Sequence, residues 1–267
     1  MNFHCITIAK PGQGTVNEDA ATARETVVAV SDGAGGGGVF ADLWAQYLLD
    51  KLPSQPLRSF NELDSWIDGI WELFFNDREH YAKLQDDGML LEKFYNEGSF
   101  ATLAAIWPAD GEMLWTTYGD TVAFHYDFAT SVLTSSLFHL TDFALPPYLI
   151  SCKDPLLPEG FNCGTFEKND TSVYFVTSDA LAHYILAMYM AEHRDRFESE
   201  LAAAAAAHHR NAIPVREMLA LPKVNFEKRL KKLLNIKRSG NFRQHIESLM
   251  AQHLIALDDY SIAAITL

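Results

Sequence analysis

Carboxylates stand at the ends of the strongest β-type runs in this chain. Asp32 follows TVVAVS, Asp120 follows WTTYG and Asp179 follows VYFVTS. Asp258 and Asp259 precede YSIAAITL, and Glu18-Asp19 occupies the turn expected before TVVAV. Runs that are apolar without alternation are the signature of strands buried on both faces. An acid at such an end is held on a rigid element beside partly desolvated surroundings. Several carboxylates gathered there repel one another by kcal/mol amounts, and a divalent cation removes the conflict. An all-oxygen donor set without paired His or Cys favours hard ions, Mg²⁺ or Mn²⁺, over zinc. Two such ions bridged by one carboxylate would generate hydroxide at neutral pH and polarise a phosphoryl oxygen. Each acid alone has an ordinary reading as a turn or N-cap residue; the weight lies in their joint occurrence with particular neighbours.

The elements that must position these acids are legible in outline. Residues 4–9 read as a short strand, and 26–30 as a buried strand running into Ser31, Asp32 and a glycine-rich turn over 33–38. Residues 40–52 carry Phe40, Leu43, Trp44, Tyr47 and Leu48 at helical spacing, stopped by Pro53. The spacing predicts one amphipathic helix over 61–75 and another running to about Tyr95, with Trp44, Trp66 and Trp71 in the core. Residues 100–107, 113–118, 122–126 and 131–140 read as strands of an antiparallel meander. A Pro- and Gly-punctuated loop is expected over 143–168, a strand over 172–177 and helix from 180 to about 219. A further amphipathic helix is built on Phe226, Leu230, Leu233 and Leu234, and the last strand spans 260–267. With no internal repeat or low-complexity linker, and with chemistry drawn from both ends, one domain over 1–267 is expected.

Composition limits the partners. The 267 residues hold 21 Lys and Arg against 35 Asp and Glu, a net charge of −14. A protein of that sign is repelled by phosphate backbones and anionic lipid, so neither nucleic acid nor membrane is an expected partner. Cys5, Cys152 and Cys163 are too few for a disulfide framework and lack zinc spacing, which suits reduced thiols in the cytoplasm. No signal-like segment and no long apolar run is present.

The neighbours of the acids resemble, in order, the landmarks of the metal-dependent protein phosphatases (type 2C, or PPM). Asn17-Glu18-Asp19-Ala20 resembles the first acidic motif, and residues 28–36 (VAVSDGAGG) resemble the strand ending in Asp-Gly. Residues 98–103 (GSFATL) resemble the Gly-Ser/Thr strand entry, and Tyr118-Gly119-Asp120-Thr121 the Gly-Asp-Ser turn. Val176-Thr177-Ser178-Asp179 resembles the Ser-Asp-Gly motif, and Asp258-Asp259-Tyr260-Ser261 the closing motif. The resemblance implies an α+β fold: a four-layer α-β-β-α sandwich of two mostly antiparallel sheets flanked by helices. It implies that Asp32 bridges two Mg²⁺ or Mn²⁺ ions. Glu18 and the Gly33 carbonyl would complete one site, Asp179 and Asp258 the other. Asp19 would hold a water, and Asp120 would belong to a weaker third ion. The implied reaction is hydrolysis of phosphoserine or phosphothreonine in a protein substrate, with Asp32 and Asp19 as catalytic residues.

The chain departs from that pattern at four positions. Gly14 stands where a phosphate-gripping Arg is usual, with Lys10 and Arg24 the nearest basic residues. Ala34 replaces a His or Met, Val122 an Arg and Ala180 a Gly. A bidentate Arg–phosphate contact has no equivalent in another side chain, so the rival reading is a pseudophosphatase: the same fold acting as a binding or regulatory module. The spacing Gly33-x-Gly35-x-x-Gly38 matches a dinucleotide fingerprint, but Asp32 would set a carboxylate beside the pyrophosphate. The basic run over 223–243 reads as a solvated helix face, with a docking patch as the sharper alternative. His208, His209, His245 and His253 read as surface residues, and Ser178 as a turn residue orienting Asp179.

Overall fold

The computed structural model describes residues 1–12, 15–36 and 38–266. Two five-stranded sheets lie face to face. One has the order β1 (Asn2–Ile8), β12 (Tyr260–Thr266), β11 (Ser172–Thr177), β7 (Val122–Asp127), β8 (Val132–Ser135). The other has β10 (Phe161–Glu167), β6 (Glu112–Tyr118), β5 (Leu103–Pro108), β3 (Val27–Asp32), β2 (Asp19–Arg24). All their ladders among the described residues are antiparallel, and a short pair joins β4 (Phe100–Ala101) to β9 (Ile150–Ser151).

Alternation along the strands builds three apolar layers, because successive side chains point to opposite faces of a sheet. Val28, Val30, Ala104, Ile106, Tyr174, Val176, Ala263 and Ile265 meet between the sheets. The other face of the second sheet sends Val27, Ala29, Leu103, Ala105 and Trp107 against α1 (Ala41–Lys51), α2 (Phe60–Asp68), α3 (Trp71–Leu84) and α4 (Gly88–Glu97). The other face of the first sheet sends Phe124, Phe175, Ile262 and Ala264 against a second group of helices. These are α5 (Asp179–Glu192), α6 (Arg194–Ala206), α7 (Ala212–Ala220), α8 (Phe226–Leu234) and α9 (Ser239–Ala251). Every residue of α5 from Ala180 to Ala191 is buried, as expected of a helix that is apolar all round. The order of layers is therefore α-β-β-α, as the resemblance implied.

Several expected elements differ. The helix expected over 61–75 is broken at Gly69-Ile70: Gly69 is a poor helix former, and its N–H closes α2 on the Ser65 carbonyl at 3.2 Å. The meander is divided, since β5 and β6 pair in one sheet while β7 and β8 pair in the other. The strand expected over 131–140 stops at Ser135 and gives way to a 3₁₀ turn, Leu140–Ala144. The loop expected over 143–168 contains β10, an edge strand whose mostly exposed side chains leave no apolar pattern to read. Glu18-Asp19 is not simply a turn, because Asp19 opens β2. The long helix expected from 180 is three helices. Pro214 explains the second break: within a continuous helix its ring would clash with the carbonyl four residues back, that of Arg210, whereas the first turn of a new helix accepts it.

Trp44 is fully buried, while Trp66 and Trp71 are half-buried against the same cluster. His245 is half-buried, and burial lowers its pKa to about 4; it is not the surface residue expected. The basic run behaves as a solvated face: Phe226, Leu230, Leu233 and Leu234 are buried, and Lys231 pairs with Glu227 at 2.5 Å. The three cysteines are free, with Cys152 buried. No described helix is long and apolar enough to cross a membrane. The last residue of the expected 260–267 strand lies outside the described residues.

Phe175 lies fully buried, with its ring stacked on Phe124 at 4.9 Å between sheet and helices. Phe175→Ala is expected to cost about 3–5 kcal/mol, read as a drop of roughly ten degrees in thermal midpoint. Leu73→Ala, at a side chain 68% exposed, is expected to stay within about 0.5 kcal/mol.

Candidate metal centre

Strand pairing does the first part of the assembly. In the β2–β3 ladder Asp19 stands directly opposite Asp32. The Asp32 carbonyl accepts the Thr102 N–H at 2.8 Å, and the Ser31 hydroxyl donates to the Thr102 carbonyl at 2.8 Å. The end of β3 is thereby fastened to the strand beside it. Asp19 is buried, and neither of its carboxylate oxygens makes a well-formed hydrogen bond, although the Ser261 and Ser178 side chains lie near enough to favour its charged form. A buried polar atom is almost always paired, so two orphaned oxygens on one side chain mark a place built for something else.

Glu18 approaches from the preceding residue. Its carbonyl accepts the Gly33 N–H at 3.1 Å. Its carboxylate lies over Gly35, where a Cβ would come within 1.8 Å of Oε1. A side chain at position 35 would have to push the Glu18 carboxylate aside, so the glycine leaves that acid its place over the turn. Asp259 holds this corner, its two oxygens accepting the backbone N–H groups of Lys10 and Glu18, each at 2.7 Å.

The remaining acids arrive from the first sheet and from the crossing between sheets. Asp120 sits where the chain leaves β6 for β7, beside Gly119 at φ +88°. A Cβ on Gly119 would meet both the Thr102 side chain and the Tyr148 carbonyl at 2.6 Å. Asp179 is the first residue of α5, behind Ser178 as N-cap. Ser178 is tied to the last strand through its N–H to the Ser261 carbonyl, 3.1 Å, and through the Ser261 N–H to its own hydroxyl, 3.0 Å. Ser178 is thereby fixed directly before Asp179. Asp258, just before β12, accepts from Arg210 Nη2 at 2.6 Å.

These acids share one electrostatic field. Burial, then the charges of Asp19, Asp179, Asp120 and Asp258, raise the Asp32 carboxyl well above its ordinary value. Burial, then Asp120, Asp258 and Asp19, do the same to Asp179. Burial lifts Asp19 to about 7, with Ser261 and Ser178 favouring the charged form and Asp259 and Asp258 opposing it. Asp120 is lifted to about 6, chiefly by burial. Glu18 is raised by burial, with Lys10 pulling the other way. Asp19, Asp32, Asp120, Asp179 and Asp258 thus share one field, and Glu18 joins it through Asp258 and Asp259.

Among the described residues no group of three or more His, Cys, Asp or Glu side chains closes on a single ion position as it stands. Two basic side chains face the acids instead. Arg210 Nη2 lies 2.6 Å from Asp258 and 3.9 Å from Asp179, and Lys10 Nζ lies 3.9 Å from Glu18. The donor chemistry nevertheless fits a hard divalent ion: carboxylates only, crowded, partly desolvated, with the two unpartnered oxygens of Asp19 among them. Glu18, Asp32, Gly33, Asp179 and Asp258 are the residues that would hold such ions.

Sequence reasoning passed over Arg210, because it lay inside what was expected to be continuous helix; Pro214 was the available signal. Asp259, one of the two acids before the last strand, binds backbone N–H groups, a role that its sequence position does not reveal. Of the departures, Gly14 lies outside the described residues. Val122 is fully buried in β7, and Ala180 is buried in α5. Arg24 does not reach the cleft, since it donates to the Leu49 carbonyl at 2.8 Å.

No family model and no curated protein matches this sequence. Solved structures do. The catalytic domain of serine/threonine protein phosphatase PstP, crystallised with two manganese ions, superposes with a TM-score of 0.56 at 14% identity, covering 98% of this chain and 96% of that one. The Mycobacterium tuberculosis serine/threonine phosphatase PstP/Ppp gives 0.52 at 13%, covering 99% and 98%. Staphylococcus aureus Stp1 gives 0.52 at 12%, covering 100% and 96%. The chain therefore has the fold of the bacterial type 2C serine/threonine phosphatases along its whole length.

A carboxyl raised by folding gives stability that is present below its unfolded pKa and lost as pH rises through the folded one. For Asp19 that window runs from about 4 to about 7. In buffer stripped of divalent ions, Asp19→Asn is expected to melt above the wild type by a margin that grows between pH 5 and pH 8. A margin independent of pH would remove the buried, unpaired carboxyl from this account.

Proposed function

We propose that this chain is a metal-dependent phosphomonoester hydrolase acting on phosphoserine or phosphothreonine in proteins. The observation that carries the reading is the gathering of Glu18, Asp19, Asp32, Asp179 and Asp258 at one sheet end, with the oxygens of Asp19 buried and unpartnered. Support comes also from the shared fold, one member of which was crystallised with two manganese ions. Bound Mg²⁺ or Mn²⁺ supplies Lewis acidity toward a phosphoryl oxygen and lowers the pKa of water. In this reading Asp32, Glu18, the Gly33 carbonyl, Asp179 and Asp258 would hold the two ions, Asp120 would serve a weaker third, and Asp19 would hold a water beside them. A cleft of about 390 Å³ beside Asp120, lined by Pro146, Pro147 and Tyr148, offers room for a peptide next to the acids. The reading takes 1–267 as one domain working in the cytoplasm.

One observation favours a second reading. Arg210 and Lys10 already face the carboxylates that ions would take, as they would in a phosphatase-like module that binds partners without turnover.

Hydrolysis of an aryl phosphate and of a phosphoserine peptide in Mn²⁺ separates the two. The enzyme is expected to turn over both, to stop in chelator and to lose roughly two orders of magnitude or more in kcat/KM in Asp32→Asn, the scale on which electrostatic stabilisers act. A folded wild type that is silent in millimolar Mn²⁺ would establish the module instead.

A further inference from the structure

We infer that Arg210 is a built-in counter-cation of the carboxylate cluster, so that an ion can be taken up at Asp179 and Asp258 only by displacing a guanidinium. This inference rests on the metal-dependent reading above and adds to it the residue that sets how readily the ion is accepted. The geometry is specific. Nη2 bonds Asp258 at 2.6 Å and lies 3.9 Å from Asp179, while Nη1 donates to the Leu257 carbonyl at 3.2 Å. One nitrogen therefore faces both of the acids assigned to that ion. Arg210 also lowers the cost of ionising Asp120, so its charge is felt by three carboxylates.

The position of Arg210 makes displacement feasible. It stands in the break between α6 and α7, which Pro214 enforces, and its side chain is 54% exposed. The buried Asn211 pins the backbone next to it by donating to the Phe143 carbonyl at 3.1 Å. The side chain can swing into water while its backbone stays fixed. An ion at Asp258 and a guanidinium bonded to the same oxygen are like charges, and within a partly desolvated cleft they exclude each other more strongly than in bulk water. Lys10 stands in a weaker version of this relation to Glu18, at 3.9 Å and without a hydrogen bond. The two halves of the centre are consequently unequal, and the half held by Arg210 is the harder to load.

Calorimetric titration of Mn²⁺ alone into the wild-type chain, Arg210→Gln, Arg210→Lys and Arg216→Gln tests this. Arg216 is a control of the same charge whose Nη1 donates to the Ala205 carbonyl away from the acids. Arg210→Gln is expected to bind Mn²⁺ about tenfold more tightly than wild type, the scale of one charge pair in an intermediate dielectric. Arg210→Lys should fall between them and Arg216→Gln should match wild type. Thermal melting gives a second readout: in chelator Arg210→Gln should melt below wild type, and Mn²⁺ should raise its midpoint by more. Equal or weaker Mn²⁺ binding in Arg210→Gln, with wild type still binding, overturns the counter-cation while leaving the metal-dependent reading in place. No Mn²⁺ binding in any variant overturns both.

Discussion

Gathering carboxylates at one partly desolvated end of a sandwich is unfavourable twice over: each loses hydration, and each repels its neighbours. The rest of this structure is arranged around that constraint. Asp32 and Asp19 are register partners on adjacent strands, so neither can withdraw without breaking a ladder. Asp179 is held through Ser178 before it, whose N–H donates to the Ser261 carbonyl and whose hydroxyl accepts the Ser261 N–H in β12. The three apolar layers make these positions rigid, and rigidity keeps the acids from relieving the repulsion by moving apart.

What relieves it is positive charge. Lys10 and Arg210 do so in the structure described here, one at each side. They differ in kind. Arg210 is hydrogen-bonded and reaches from a helix break, whereas Lys10 is a longer contact held in place through Asp259, which binds the backbone of both Lys10 and Glu18. Enzyme and regulatory module share everything except what finally neutralises the acids, a mobile divalent ion or a tethered side chain. The same fold supports either outcome, as folds in general do not dictate function.

The division of the expected meander has a functional side. The chain passes from one sheet to the other between β6 and β7, through Gly119 in a left-handed conformation. A hairpin there would have kept both strands in one sheet and carried Asp120 away from the cleft. Crossing places Asp120 between the sheets' ends, in the field of Asp258 and Arg210.

Local chemistry made much of this readable from sequence. Apolar runs such as TVVAV and VYFVT specify strands buried on both faces whatever surrounds them, and the acids at their ends could be named before any coordinates. Helical spacing located α1 within a residue at each end and named the four residues that α8 buries. The tertiary structure decided what depends on partners far away in the chain. The β10 strand exists because β6 offers it a ladder, not because its exposed side chains ask for one. The split of 122–135 into a different sheet depends on which edge was free. Arg210 reaches Asp258 only because a helix breaks 48 residues earlier in the chain. A sequence states which charges are present; the sign of the field each feels is set by neighbours that only folding supplies.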